Sequence, residues 1–214
     1  MIKKISAGFL LLLFSFPVFA QVAQVRIQQN GWRFVENKNQ WDSKILFQTD
    51  LPAGSLFLEK DAFTYAFYKT DDAHGHPSSE KSPIPFHSYK VKFLTPNSDV
   101  KTEGRSSFPE YRNYFIGNDM SRWASGVKIY NEVRYSDLYP LIDVSVYGSG
   151  SSLKYDFILR PGADVKSVKL FYEGANRIYL KNGNLIVETS VNEVLEQQPY
   201  AYQMINERKQ EVTC

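Results

Sequence analysis

From Tyr130 to Asp164 apolar and polar residues take turns. Ile142, Val144 and Val146 fall on one side of an extended backbone, and Asp143, Ser145 and Tyr147 fall on the other. After the Gly148-Ser149-Gly150-Ser151 turn, Leu153, Tyr155, Phe157 and Leu159 alternate with Lys154, Asp156, Ile158 and Arg160, and Pro161-Gly162 closes the run. This period of two predicts a half-buried strand pair. The same pattern recurs on both sides of it. Lys44 to Thr49 reads as a strand. Gly54 to Leu58 and Ala62 to Lys69 read as a hairpin around Glu59-Lys60-Asp61, with Phe63, Tyr65 and Phe67 on one face. In Ser88 to Thr95, Tyr89, Val91 and Phe93 point in while Lys90 and Lys92 point out.

Further on, Ser167 to Tyr172 and Asn176 to Leu180 predict short strands, and Gln198 to Ile205 a last one. Lys181-Asn182-Gly183-Asn184 joins Ile178-Tyr179-Leu180 to Leu185-Ile186-Val187. Asn-Gly between two apolar runs predicts a type I′ hairpin, because both central residues of that turn need positive φ. Two stretches lack the alternation. Asp71 to Pro85, with three prolines and three serines, reads as a loop. Phe108 to Tyr130 reads as a long connection with one helical turn near Met120 to Ala124. Ten or so short strands and no amphipathic helix predict an all-β chain, with antiparallel sheets packed as a sandwich.

The N-terminus changes the picture of where this domain works. Lys3 and Lys4 precede an apolar run from Phe9 to Phe16, Pro17 breaks it, and Val18-Phe19-Ala20 leads to Gln21. This reads as a secretory signal peptide cut between Ala20 and Gln21. The apolar run is shorter than the roughly 20 residues a membrane span needs. Residues 1–20 are therefore expected to be removed, 21–33 to form a lead-in and 34–214 to form one all-β domain exported from the cytoplasm. The tail from Asn206 to Cys214 starts another strand and then stops, so the domain is expected to continue past it. Of 25 basic and 23 acidic residues, the leader carries two basic ones, Lys3 and Lys4. The exported chain is then balanced at 25 − 2 = 23 against 23. That balance argues against nucleic acid as a partner. After cleavage no run is left to span a membrane. The single cysteine, Cys214, allows no disulfide within the chain, so stability must come from a core rich in aromatics (15% of residues).

Candidate chemistry is sparse. His74-Gly75-His76 and His87 suggest a metal site, but Gly75 and Pro77 place the pair in a loop and no carboxylate or cysteine completes a ligand set. The three are read as solvated loop histidines, and neither metal nor cofactor is expected. Asp143 and Asp156 lie on opposite arms of one predicted hairpin, so they are candidates for the carboxylate pair that a glycosidase holds roughly 5 to 10 Å apart. Asp137, Asp143 and Asp164 are candidate calcium ligands, although no loop spaces Asp and Asn residues as such a site needs. Trp32, Trp41 and Trp123, with Tyr155 among the 14 tyrosines, are candidates for a sugar-stacking platform. No Gly-x-Ser-x-Gly elbow, phosphate loop or dinucleotide fingerprint is present.

An ordered set of short patterns resembles a known family. These are Phe34-x-Glu36-Asn37-Lys38-x-Gln40-Trp41, then Asn113-Tyr114-Phe115-Ile116-Gly117-Asn118-Asp119 with Trp123, and Tyr135-x-Asp137-x-Tyr139-Pro140-x-Ile142-Asp143-Val144. Tyr155-Asp156-Phe157, Pro161-Gly162-Ala163-Asp164, Gly183-x-Leu185 and Gln198-Pro199-x-Ala201-Tyr202-Gln203 follow in order. Together they resemble an uncharacterised domain at the N-terminus of large secreted bacterial proteins of Bacteroidetes type. There it often precedes SBBP or PKD repeats and a C-terminal sorting domain of gliding-motility-type secretion. The resemblance implies an exported, non-catalytic structural or adhesive module of a surface or secreted protein, and it implies no catalytic residue. A carbohydrate-binding module using exposed aromatics is the alternative, and a glycoside hydrolase with Asp143 or Asp156 as acid is the third reading. The expected partner is a surface glycan or a protein. The oligomeric state is open.

Overall fold

The computed structural model describes residues 31–69 and 83–212. It is almost entirely antiparallel β-structure: β1 Phe34–Glu36, β2 Ile45–Leu51, β3 Gly54–Glu59, β4 Ala62–Tyr68, β5 Phe86–Phe93, β6 Lys101–Tyr114, β7 Ala124–Tyr139, β8 Ile142–Ser149, β9 Ser152–Leu159, β10 Leu170–Glu173, β11 Arg177–Lys181, β12 Asn184–Glu188, β13 Glu193–Glu196, β14 Ala201–Ile205 and β15 Arg208–Val212. Two short 3-10 turns, Met120–Arg122 and Val165–Ser167, are the only helical segments among the described residues.

Ten strands form one sheet in the order β10-β5-β4-β3-β2-β1-β7-β8-β9, with β6 also on β7. The branch at β7 shapes the molecule. One edge of β7 carries β6 along most of its 16 residues. The other edge is divided: Ile129 and Tyr130 pair with Val35 and Phe34 of β1, and Glu132 to Tyr139 pair with Tyr147 to Ile142 of β8. A sheet this wide curls because each strand pair twists. The curl brings β4 and β5 over β7 and β9, so the two halves pack face to face as in a sandwich. Across it Phe63 meets Tyr135 at 5.9 Å and Tyr155 at 6.0 Å, and Phe93 meets Phe157 at 6.5 Å, all between ring centroids.

Alternation explains which side chains meet there. Phe63, Tyr65 and Phe67 of β4, Tyr89, Val91 and Phe93 of β5, and Ile142, Val144 and Val146 of β8 are all buried. Truncating one such aromatic to alanine would cost about 3–5 kcal/mol. A three-stranded sheet, β11-β12-β13, adds Val187, Leu185 and Val194 to the same core. Its predicted Asn-Gly turn is present, with φ of 52° at Asn182 and 80° at Gly183. The β14–β15 hairpin stands as a separate two-stranded sheet, and β15 is the strand that the tail begins.

The expected long connection over 108–130 is corrected. β6 extends to Tyr114 and β7 starts at Ala124, so only 115–123 connect them, around the 3-10 turn. β6 escapes a pattern reading because it is an edge strand with no fully buried residue and with register shifts between Ser107 and Tyr111 and between Arg112 and Tyr114. Its half-buried face mixes Thr102, Gly104, Phe108, Arg112 and Tyr114, so no run of apolar residues marks it. The leader, the Ala20–Gln21 cleavage position, His74, His76 and Cys214 lie outside the described residues.

Candidate functional site

The division of β7 leaves a seam. Tyr130 is the last residue paired to β1 and Glu132 the first paired to β8, so Asn131 between them is paired to neither. A groove of about 630 Å³ opens there, lined by Trp32, Ser106, Asn131, Glu132, Tyr147 and Ser151, together with the backbone of Gly31, Gly148 and Gly150. That volume lies in the range of small-ligand sites.

Trp32, just before β1, lies directly on Gly148. A Cβ at Gly148 would stand 1.7 Å from Trp32 Cδ1, so only glycine admits the indole. Trp32 Nε1 donates to the Gly150 carbonyl at 3.2 Å, and Gly150 sits at a φ of 60° to turn the chain beneath it. On the opposite wall Ser106 of β6 has a φ of 53°, a left-handed conformation that a residue with a Cβ rarely adopts. Glu132 accepts the Ser145 hydroxyl through Oε1 at 2.6 Å; among the described residues nothing bonds its Oε2. Tyr147 donates to Asp156 Oδ2 at 2.8 Å, and burial, reinforced by that carboxylate, pushes its hydroxyl up to about 12. Tyr147 is thus a neutral donor at any physiological pH. Among the described residues no lysine or arginine lines the groove.

The carboxylates singled out from the sequence lie elsewhere. Asp143 faces Ile158 across the β8–β9 ladder and Asp156 faces Ser145, so both project from the outer face of one hairpin as diagonal neighbours. Their partners differ. Asp143 accepts the Asp137 N–H at 2.8 Å and Arg134 Nη2 at 3.0 Å, with Arg160 at 3.6 Å. Burial raises its carboxyl, but the Asp137 N–H, Arg134 and Arg160 together outweigh burial and hold it below the ordinary range. Asp137 also pairs with Arg160, and its φ of 53° marks the register shift between Tyr135 and Tyr139. Asp164 caps the second 3-10 turn by accepting the Lys166 N–H at 3.0 Å. Among the described residues no three His, Cys, Asp or Glu side chains are grouped to hold a metal ion.

The three tryptophans do not share a platform. Trp41 packs edge-on against Tyr114 at 5.6 Å and Phe57 at 6.4 Å, over Val35, Val127 and Ile129. Trp123, 38% exposed, meets Phe115 at 5.7 Å and donates to the Gly117 carbonyl at 3.2 Å, fastening the 115–123 connection. Only Trp32 lines the groove. His87 is corrected from a solvated loop residue: it lies in β5, with Nε2 2.8 Å from the Gly174 carbonyl and Nδ1 3.0 Å from Ser190 Oγ.

Tyr155 belongs to a second polar centre, inside the fold. Its hydroxyl donates to Glu196 Oε2 at 2.7 Å, and Tyr172 donates to the same oxygen at 2.9 Å. Tyr65 and Tyr89 stack behind them at 4.8 Å. Burial is the largest cause at each, and with the negative charge of Glu196 (and, at Tyr89, of Tyr65 before it) it pushes all four hydroxyls well above the ordinary tyrosine range. The space between Phe63, Tyr65, Tyr155 and Glu196 leaves no room for a water molecule. This centre is a joint between sheets and takes no ligand.

Several residues that carry the family resemblance turn out to build turns. Asn37 donates from Nδ2 to the carbonyls of Asp42 and Ile45 at 2.9 and 2.8 Å and accepts the Trp41 N–H at 3.2 Å, while Gln40 donates to the Glu36 carbonyl at 2.7 Å. That network shapes the β1–β2 connection. Sequence reasoning named Trp32 but passed over Ser106, Asn131, Glu132 and Tyr147. No local pattern marks them, since the strands that bring them together are far apart in the chain.

The family model described as Domain of unknown function (DUF7948) matches residues 34–214. No curated protein and no solved structure matches the chain. Among the described residues no helix is long and apolar enough to cross a membrane.

Proposed function

Starting from the chain's membership of the DUF7948 family of domains of unknown function, we propose that it is a non-catalytic module of an exported protein, structural or adhesive in role. The observation that carries the reading is the disposition of Asp143. The carboxylate best placed by sequence to act as an acid is tied to a backbone N–H and to two arginines, and so held as a structural anion. A general acid working near neutral pH needs the opposite, a carboxyl raised by its surroundings. Glu196 inside the fold likewise ties strands together through Tyr155 and Tyr172. The N-terminal leader pattern supports export, and the open groove beside Trp32 supports recognition by contact.

The test is a turnover assay on a panel of polysaccharides with the purified protein, following release of reducing ends. No release is expected. Release that disappears in Asp143→Ala would overturn the reading and favour a glycoside hydrolase. Sequencing the N-terminus of the protein recovered from outside the cytoplasm should begin at Gln21.

A further inference from the structure

We infer that the groove at the β1–β8 seam, floored by Trp32, binds a neutral sugar residue. The inference rests on the adhesive-module reading and names the ligand class for its open site. Indole presents a flat apolar face, which suits the apolar C–H face of a pyranose ring, and the rim around it is made of hydroxyl and amide groups. Ser106, Asn131 and Ser151 supply donors and acceptors, and the free Oε2 of Glu132 can accept from a pair of vicinal hydroxyls. Few side chains combine these features, and the fold goes out of its way to assemble them. Gly148 gives up its side chain to seat the indole, and Ser106 holds a left-handed backbone at the opposite wall. Strain kept at a wall of an open groove points to function rather than packing.

The same observations weigh against other occupants. An anionic ligand such as a phosphate or a uronic acid would meet the Glu132 carboxylate, and among the described residues no lysine or arginine lines the groove to balance it; Arg105 and Lys154 stand across the ladders from Glu132 and Tyr147 without lining it. A peptide adding itself as a strand needs a row of unpaired backbone groups, and the seam offers only Asn131. A metal ion needs more than the one carboxylate present. A hydroxyl-rich, uncharged ring is what remains.

The experiment is a printed array of neutral and acidic oligosaccharides probed with the purified protein, with hits followed by calorimetry. Binding to neutral glycans is expected. It should weaken at least tenfold in Trp32→Ala and severalfold in Glu132→Gln, and stay unchanged in Trp123→Ala, whose indole lies outside the groove. If Trp32→Ala fails to keep the near-UV circular dichroism of the parent, Ser106→Ala and Glu132→Gln carry the comparison, since both leave the core untouched. No neutral hit, hits confined to acidic glycans, or parent-level affinity in Glu132→Gln together with a folded Trp32→Ala (or, where that variant does not fold, with Ser106→Ala) would overturn the inference. Turnover of a bound glycan would instead overturn the non-catalytic reading and leave the site standing. Absence of both binding and turnover would remove the site and leave the module reading intact.

Discussion

Tyr155 of β9 donates its hydroxyl to Glu196 of β13 at 2.7 Å, and this bond fastens the three-stranded sheet to the inside of the large one. Tyr172 of β10 joins it at Glu196, so two strands of the large sheet converge on one carboxylate.

Glu196→Ala should therefore destabilise the protein far more than loss of one surface acid would. Two half-buried hydroxyls lose their acceptor, and each unsatisfied buried polar group costs about 1–3 kcal/mol. A total of about 2–6 kcal/mol is expected, read from the shift in urea midpoint. Glu196→Gln keeps an acceptor oxygen and should cost clearly less. Equal losses in the two variants would show that the carboxylate acts by charge and not as an acceptor.

Alkaline pH should open the same joint. Tyr65, Tyr89, Tyr155 and Tyr172 start from an ordinary value of 10.0, and burial, with Glu196 behind it, raises each of them in the folded protein. A group whose pKa is raised by folding lends stability that is complete below its unfolded value and falls away as pH climbs above it. Unfolding free energy should thus be flat to about pH 9 and drop from about pH 10 upward. Absorbance titration should show these hydroxyls ionising together with unfolding. Smooth ionisation at pH 10 in a still-folded protein would contradict the joint.

Asp143 has the opposite sign. Burial works against it, but the Asp137 N–H, Arg134 and Arg160 bring its pKa below the ordinary 3.8. The stability this gives is complete above 3.8 and is lost as pH falls through the lower folded value. Asp143→Asn should cost about 1.5–3 kcal/mol at pH 7, the usual worth of hydrogen bonds to a charged group. The gap between variant and parent should narrow below pH 3.8 as the parent's own carboxyl is protonated. A gap that stays constant down to the acid unfolding limb would mean that Asp143 contributes through shape alone.

The fold also shows what the chain's pattern could and could not reveal. Strands with one buried face were legible: Tyr89, Val91 and Phe93, or Ile142, Val144 and Val146, declare their side by alternation, and the core assembles from them. The Asn182-Gly183 turn was legible for a backbone reason, the need for positive φ. β6 was not, because its half-buried face mixes polar, glycine and aromatic residues and is broken by register shifts, which leaves no apolar period. The groove was not, because Trp32 reaches a carbonyl 118 residues away. Asp143 was one candidate acid among several in the sequence, and in the fold the Asp137 N–H, Arg134 and Arg160 stand around it. A carboxylate's role is set by its neighbours in space, and alternation along a strand specifies only which face it occupies.

Tyr89 is the counterpart of Tyr155 in the same core. It is 2% exposed, stacks on Tyr65, and its hydroxyl has no hydrogen-bond partner among the described residues. Tyr155 and Tyr89 thus present the same group in the same core, one satisfied and one orphaned. Removing the satisfied hydroxyl in Tyr155→Phe deletes a bond to a carboxylate and should cost about 1.5–3 kcal/mol. Removing the orphan in Tyr89→Phe deletes a desolvated group that gained nothing on folding, while the ring and its stacking stay. That variant should be neutral or up to about 1 kcal/mol more stable. Parallel urea melts of the two variants decide it. If Tyr89→Phe loses as much as Tyr155→Phe, the Tyr89 hydroxyl has a partner in solution, and the hydrogen bonding of the inter-sheet joint extends to it.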